Sequence, residues 1–516
     1  MKRTIKHIKK IAICLAVIFT ASCSEDFLEN INKDAPSNGV ILGNVENAQL
    51  ALDGLIGSMT NRVVTSQSAT INSQERGGYP IQLVQMDFLG EDIPFVAGDL
   101  SFDIRYQDAY TWEMLTGAES GLVEMAWAHS YAIINQANLI LDNIDGTSGP
   151  DSIKDNIKGQ TLTVRAFAYL HLVQLFGDRY VAGTENTQLG PVIYTTSTQD
   201  TAPRSTVGET YTLINSDLER AIDLLTEERD SKYYINKNIA QGIMARVALI
   251  QEDWDLAITM ADAALAGFPL MENADYLTGF NDVSNQEWLW AWPRELFNAN
   301  FFGHFFVNMT WNGNSGHVRE NPKRILSTLY DDVVTISDTD IRLANFSRDI
   351  PGDDRFQDID ENGDPFTAFG SHQKVPYHAF KFKARDWRRG NLQQGDTPAM
   401  RAAEMLLIKA EAQQRNGDDG TAAMTLFELN SNRDANAVLS TNTGQDLLEE
   451  IWLYRRLELW GEGFRFLDLK RNNLPLDRTD ANHDTTRPTL LEVPAGDPLW
   501  TYPIPEIESR LNNNID

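Results

Sequence analysis

Cysteine is nearly absent. The chain of 516 residues has two, Cys14 and Cys23, and none beyond. The body therefore holds no disulfide framework and no thiolate metal site. A chain this long buries a large core without such staples. Basic residues are also scarce: 44 Lys+Arg face 73 Asp+Glu, a net charge of −29. There is no basic cluster outside the first ten residues, and an acidic body repels a phosphate backbone. That excludes a nucleic-acid binder and argues against attachment to anionic membranes by charge alone. No stretch approaches the ~18 to 20 apolar residues of a membrane-spanning helix. Histidines are few, and His129, His171, His304, His317, His372, His378 and His483 never fall in a zinc-ligand spacing such as H-E-x-x-H. A G-x-S-x-G elbow and a P-loop are missing as well. The carboxylates are too numerous to single out a glycosidase pair. The chain reads as a binder, without a cofactor, rather than an enzyme. Its 42% apolar and 23% charged residues are those of an ordinary globular protein.

The N-terminus is a sorting signal. Lys2, Arg3, Lys6, Lys9 and Lys10 precede an apolar run from Ile11 to Phe19, then Thr20, Ala21, Ser22 and Cys23. A basic n-region, a short h-region and small residues before a processing point make a secretory signal over residues 1–22. Small residues directly before a cysteine resemble a bacterial lipobox, in which Cys23 becomes the lipid-bearing N-terminus. The alternative is a plain signal peptide with an incidental cysteine. Cleavage removes five basic groups and no acid, taking the charge from −29 to −34. Ser24, Glu25 and Asp26 follow the cysteine and resemble the surface-export signal of Bacteroidetes lipoproteins.

The body reads as mainly α. Helix-period apolar spacing covers residues 43–60, 119–144, 155–176, 207–228, 237–250, 254–266, 399–415, 421–436, 446–460 and 462–471. Gly177 stands where a C-cap glycine belongs. Short links pair the helices, across Glu252-Asp253 and across Asn416–Gly420. Ala257, Ala261 and Ala264 suit the close packing of tetratricopeptide-like hairpins, with no strict period. Residues 61–118, 178–206, 268–321 and 337–398 are loop-rich insertions without long helices. Within them, Trp288, Trp290 and Trp292 alternate in a short strand with one inward face.

Four segments and a tail resemble the SusD/RagB family. They are Arg165–Asp178, Arg204–Ile222, Ala403–Ala412 and Arg455–Arg471, with Pro503-Ile504-Pro505-Glu506-Ile507 at the end. Tyr454 stands where the family usually has Glu. The resemblance implies a signal of residues 1–22, an N-terminal part of 23–230 and a C-terminal part of 231–516 in one compact unit. It implies an outer-membrane surface lipoprotein that captures a nutrient, usually a glycan, for a SusC-like TonB-dependent transporter on which it sits. RagB-type relatives make peptides the rival ligand. A surface glycoside hydrolase is the alternative from another class. In the last segment Glu462, Arg465, Asp468 and Arg471 alternate in charge three apart. That reads as an exposed scaffold stripe in which each pair contributes a few tenths of a kcal/mol.

Binding candidates come from the loops. Sugar rings present C–H faces to exposed aromatics, while Asn, Asp and Arg take hydroxyls. Trp127, Trp254, Trp452, Trp460 and Trp500 read as core. Trp112, Trp311 and Trp387 lie in loop-like stretches. Tyr106, Asp108 and Tyr110 accompany Trp112, and Asn312, Asn314, His317 and Arg319 accompany Trp311. The family resemblance points to the same stretches, 95–115 and 297–320. Asp358, Asp360, Asn362 and Asp364 match the opening of an EF-hand loop, but Phe369 stands where the bidentate Glu belongs. An acidic glycine turn is the simpler reading of that string.

Overall fold

The computed structural model describes residues 42–62, 64–66, 75–95, 106–198, 200–293, 303–313, 321–349, 375–385, 395–483, 485 and 490–515. Cys23 lies outside them. The long helices are α1 (Val45–Ser58), α2 (Tyr79–Leu89), α3 (Gly121–Ile144), α4 (Asp151–Phe176), α5 (Val207–Leu224), α6 (Lys237–Gln251) and α7 (Trp254–Leu265). They continue as α8 (Ser327–Ile336), α9 (Ala402–Arg415), α10 (Asp419–Arg433), α11 (Gly444–Glu458), α12 (Arg465–Arg471) and α13 (Glu506–Leu511). Many start at a side-chain cap. Asn44, Thr206, Asn236, Asp253 and Asp418 each accept a bond from a first-turn N–H. Thr206 and Glu209 close a full capping box.

Consecutive helices pack on one another, α3 on α4, α4 on α5, α5 on α6 and α6 on α7. Helix α9 then packs on α7, α10 and α11. Ala257, Ala261 and Ala264 are fully buried, the close approach their size permits. The fold is the mainly helical, hairpin-paired one expected. Among the described residues six short strands form three pairs. The longest joins β1 (Trp288–Trp292) antiparallel to β4 (Thr397–Arg401). The others pair β2 (Phe346–Ser347) with β3 (His378–Ala379) and β5 (Leu476–Asp477) with β6 (Glu492–Val493). One apolar cluster runs from Leu42 to Tyr502, with a satellite between α9, α10 and α11.

Four expectations need correction. Residues 399–401 are strand, so the helix begins at Ala402. Helix α12 begins at Arg465 because Gly461 and Gly463 take positive φ of 76° and 83°. Helix α2 lies inside a segment read as loop. Ten of its eleven residues are buried, so it has no polar face and no period to reveal it. Gly177 is extended, with φ −112°. It is required by space instead, since a Cβ there would come within 2.9 Å of the Val173 carbonyl.

The charge stripe is the largest departure. Glu462 and Asp468 are buried, and their arginines reach inward. Arg401 bonds Glu287 (2.5 Å), Glu458 (2.9 Å) and Glu462 (2.7 Å). Arg433 joins the same Glu287 and Glu458, and Lys381 bonds Glu462. Arg342 pairs with Asp340 and lies 4.7 Å over the Tyr454 ring, so that ring serves where a carboxylate was expected. Burial pushes the Glu458 carboxyl up. Arg433, Arg401 and Arg342 outweigh it and hold the group well below its ordinary range. Nearby, Asp468 bridges Arg455 and Arg471, and Arg471 also clamps Glu411. These pairs are buried and mutually coupled, so the few tenths of an exposed pair do not apply.

Candidate functional site

The loop candidates divide by burial. Trp112 is fully buried. Its Nε1 donates to the Leu89 carbonyl (2.9 Å), and its ring meets Trp500 and Phe466 edge-on at 4.9 and 5.6 Å. Tyr106 is fully buried, and its N–H donates to Glu75. The Tyr110 hydroxyl lies 2.6 Å from His483 Nδ1, and Arg478 covers the ring at 4.4 Å. These three rings pin the chain to the end of α2 and present no face to a ligand. The reason is Arg478, which donates to the carbonyls of Phe88, Leu89, Gly90 and Tyr110. It gathers the helix end and the aromatic turn into one knot. Asp108 alone of that group is exposed.

Trp311 differs. It is partly exposed, its edge rests on Phe380 at 5.2 Å, and Lys383 Nζ stands 5.6 Å from the ring. Its N–H donates to the Phe382 carbonyl (3.1 Å). Asn312 is buried and holds the backbone: Oδ1 accepts from Ala384 N–H (2.7 Å) and Nδ2 donates to the Ala384 carbonyl (3.1 Å). Asn312 is therefore a fastener, not a hydroxyl binder.

The strands around Trp311 are tied together. Ala379 N–H donates to Lys323 O (2.9 Å), Ile325 N–H to Tyr377 O (3.0 Å) and Arg324 Nη2 to Phe95 O (2.7 Å). Asn314, His317, Arg319 and Trp387 lie outside the described residues, as do Asp358, Asp360, Asn362 and Asp364. Among the described residues no group of three or more His, Cys, Asp and Glu is placed to hold a metal ion.

Sequence reasoning missed Phe380 and Lys383, which support the Trp311 ring. Their only sequence signal is the alternation of aromatic and lysine over Phe380-Lys381-Phe382-Lys383. Two tryptophans assigned to the core are partly exposed. Trp254 and Trp452 flank Arg415, whose guanidinium lies 5.8 and 5.4 Å from their rings.

Two family profiles match the chain. One, described as starch-binding and associating with the outer membrane, covers residues 64–249, and that of the SusD family covers 360–515. The chain belongs to the SusD/RagB family. A SusD-like carbohydrate binding protein from Bacteroides vulgatus shares its fold with a TM-score of 0.76. That pair is 27% identical, over 92% of this chain and 97% of the other. A laminarin binding SusD-like protein superposes at a TM-score of 0.65 with 20% identity, over 92% and 98% of the two chains. The SusD-like protein P2 of Formosa agariphila is 24% identical over 431 residues, 77% of this chain and 82% of the relative. The SusD/RagB signature segments are those that form the buried charge network and α4. Family recognition thus rests on scaffold.

Proposed function

We propose that the protein binds a carbohydrate nutrient at the outer membrane, through the loop face that carries Trp311. It hands that ligand to a SusC-like TonB-dependent transporter and is itself anchored by lipid on Cys23. The observation that carries the reading is the partly exposed Trp311, braced by Phe380 and Lys383 in a SusD/RagB fold. An aromatic ring with a cationic neighbour suits the C–H face and hydroxyls of a sugar. The printed descriptions of relatives, starch-binding and laminarin binding, support the ligand class. Aromatic stacking contributes ~1 kcal/mol per ring. Two or three such contacts with a few hydrogen bonds give millimolar-to-micromolar affinity, on the order of 4 to 8 kcal/mol. A transporter that removes the ligand makes that sufficient. The reading assigns binding and no hydrolysis to this chain.

Titration calorimetry with laminarihexaose, maltohexaose, cellohexaose and mannohexaose tests the ligand class. Saturable binding that weakens in Trp311→Ala supports it, and a folded protein that binds none of the four removes it. A mild-detergent pull-down from the native outer membrane tests the partner. A stoichiometric TonB-dependent barrel is expected, and its absence turns the reading toward a free-standing binder.

A further inference from the structure

A second cleft lies away from Trp311 and shares no residue with it. Helix α3, residues 194–198 and 200–201 and helix α13 border an open cleft of about 420 Å3. That falls within the range of small-ligand sites, roughly 300 to 1,000 Å3. Its lining is part aromatic and part aliphatic. Tyr131 and Tyr194 meet edge-on at 6.0 Å, and the buried Trp127 lies 4.7 Å from Tyr131. Ile507 and Leu511, the latter 69% exposed, supply the aliphatic part.

The rim is polar and carries no lysine or arginine. Trp127 Nε1 is already bonded to Glu508 (3.2 Å), and the Glu124 carboxylate to Ser66. Asn135 is exposed, and its Oδ1 accepts from the Ser197 hydroxyl (3.0 Å). Asp200 is exposed, and its carboxylate takes part in none of the bonds around the cleft. The chemistry is therefore an apolar cleft of aromatic and aliphatic side chains edged by an amide and a carboxylate, with no lysine or arginine in its lining to neutralise an anion. A neutral pyranose fits that description. Its C–H faces suit the aromatic and aliphatic side chains, and its hydroxyls suit the polar rim. A phosphate, a carboxylate or a uronic acid would meet Asp200 uncompensated.

We propose that this cleft is a second carbohydrate site, taking one neutral pyranose ring of the ligand. The proposal rests on the carbohydrate reading above. Two sites on one body hold a long glycan at two points, which raises its effective concentration at each.

The test uses the full mature chain and the same four hexasaccharides. Wild type, Trp311→Ala, Tyr194→Ala, Asp200→Ala and the Trp311→Ala/Tyr194→Ala double variant are titrated, with circular dichroism melts to check folding. Trp311→Ala is expected to keep saturable binding, and adding Tyr194→Ala to remove it. Asp200→Ala, an exposed change that leaves the fold alone, is expected to weaken that residual binding about three- to tenfold. If Trp311→Ala alone abolishes all binding, or if Tyr194→Ala and Asp200→Ala leave every isotherm unchanged, the second site is overturned while the first stands. If wild type binds no hexasaccharide, the carbohydrate reading falls and takes this site with it. Tighter binding of an oligogalacturonate than of neutral chains would overturn the neutral-ring assignment.

Discussion

Trp112 and Trp311 carry the same side chain in opposite roles. Trp112 is sealed between Trp500 and Phe466. Trp112→Ala should cost about 3 to 5 kcal/mol of stability and leave glycan affinity unchanged in whatever protein still folds. Trp311→Ala should lower affinity with a small change in melting temperature. Melting curves beside titrations check both, and a large melting loss for Trp311→Ala would count against its role. Local sequence could not separate the two rings. Each sits among polar and aromatic neighbours, and what covers the Trp112 ring, Phe466 and Trp500, comes from the far end of the chain. The histidines add a pH prediction at the same scale. Burial lowers His129 to about 4 and His171 and His483 to about 3. Their unfolded value is about 6.5. Between about pH 6.5 and 4 the unfolded chain therefore takes up protons that the folded chain refuses. Stability is full above that window and falls as pH falls through it. Urea midpoints should drop from pH 7 to pH 5, before most paired carboxylates protonate, and His171→Gln should flatten the slope. A flat midpoint over that range in the wild type would contradict this.

At the scale of elements, amphipathic helices were legible and buried ones were not. Helices α3 to α7 show a period because one face meets water. Helix α2 shows none, and Pro80 at its first turn reads as a breaker until its place is known. Its C-terminal end is also unusual. Arg478, buried and without a carboxylate partner among its bonds, donates to three successive carbonyls there. Burial lowers its guanidinium to about 10. Arg478→Met removes those donors and keeps the volume. It should lower the unfolding free energy by at least about 2 kcal/mol, through acceptors left unpaired in the interior. Urea denaturation with an unchanged midpoint would show that water replaces the arginine.

For the whole molecule, the family was legible because its signature residues are scaffold. Arg165 pairs with Asp217, and Arg455, Asp468 and Arg471 interlock. Such partners are fixed by burial. Their burial itself was not legible, because alternating charge three residues apart looks the same on an exposed helix. The loop face proposed to bind the ligand carries no such signature, and composition alone did not sort its aromatics. Among the described residues no helix is long and apolar enough to cross a membrane. The lipid proposed at Cys23 is open to a direct test. Cys23→Ala should move the protein from the membrane fraction to the soluble fraction and abolish labelling by radioactive palmitate. Unaltered fractionation would point to the transporter, or another partner, as the true anchor.

The network around Arg401 also sets an order of events during synthesis. Glu458 and Glu462 are the last carboxylates to arrive, almost sixty residues after Arg401 itself. A chain that ends before Glu458 leaves Arg342, Arg401 and Arg433 with only Asp340 and Glu287 between them. Each uncompensated buried charge costs about 3 to 5 kcal/mol, comparable to the whole margin of a folded domain, about 5 to 15 kcal/mol. The interior would thus proofread the length of the chain. Products that end before Glu458 should stay open to proteases, and limited proteolysis of such truncations checks it.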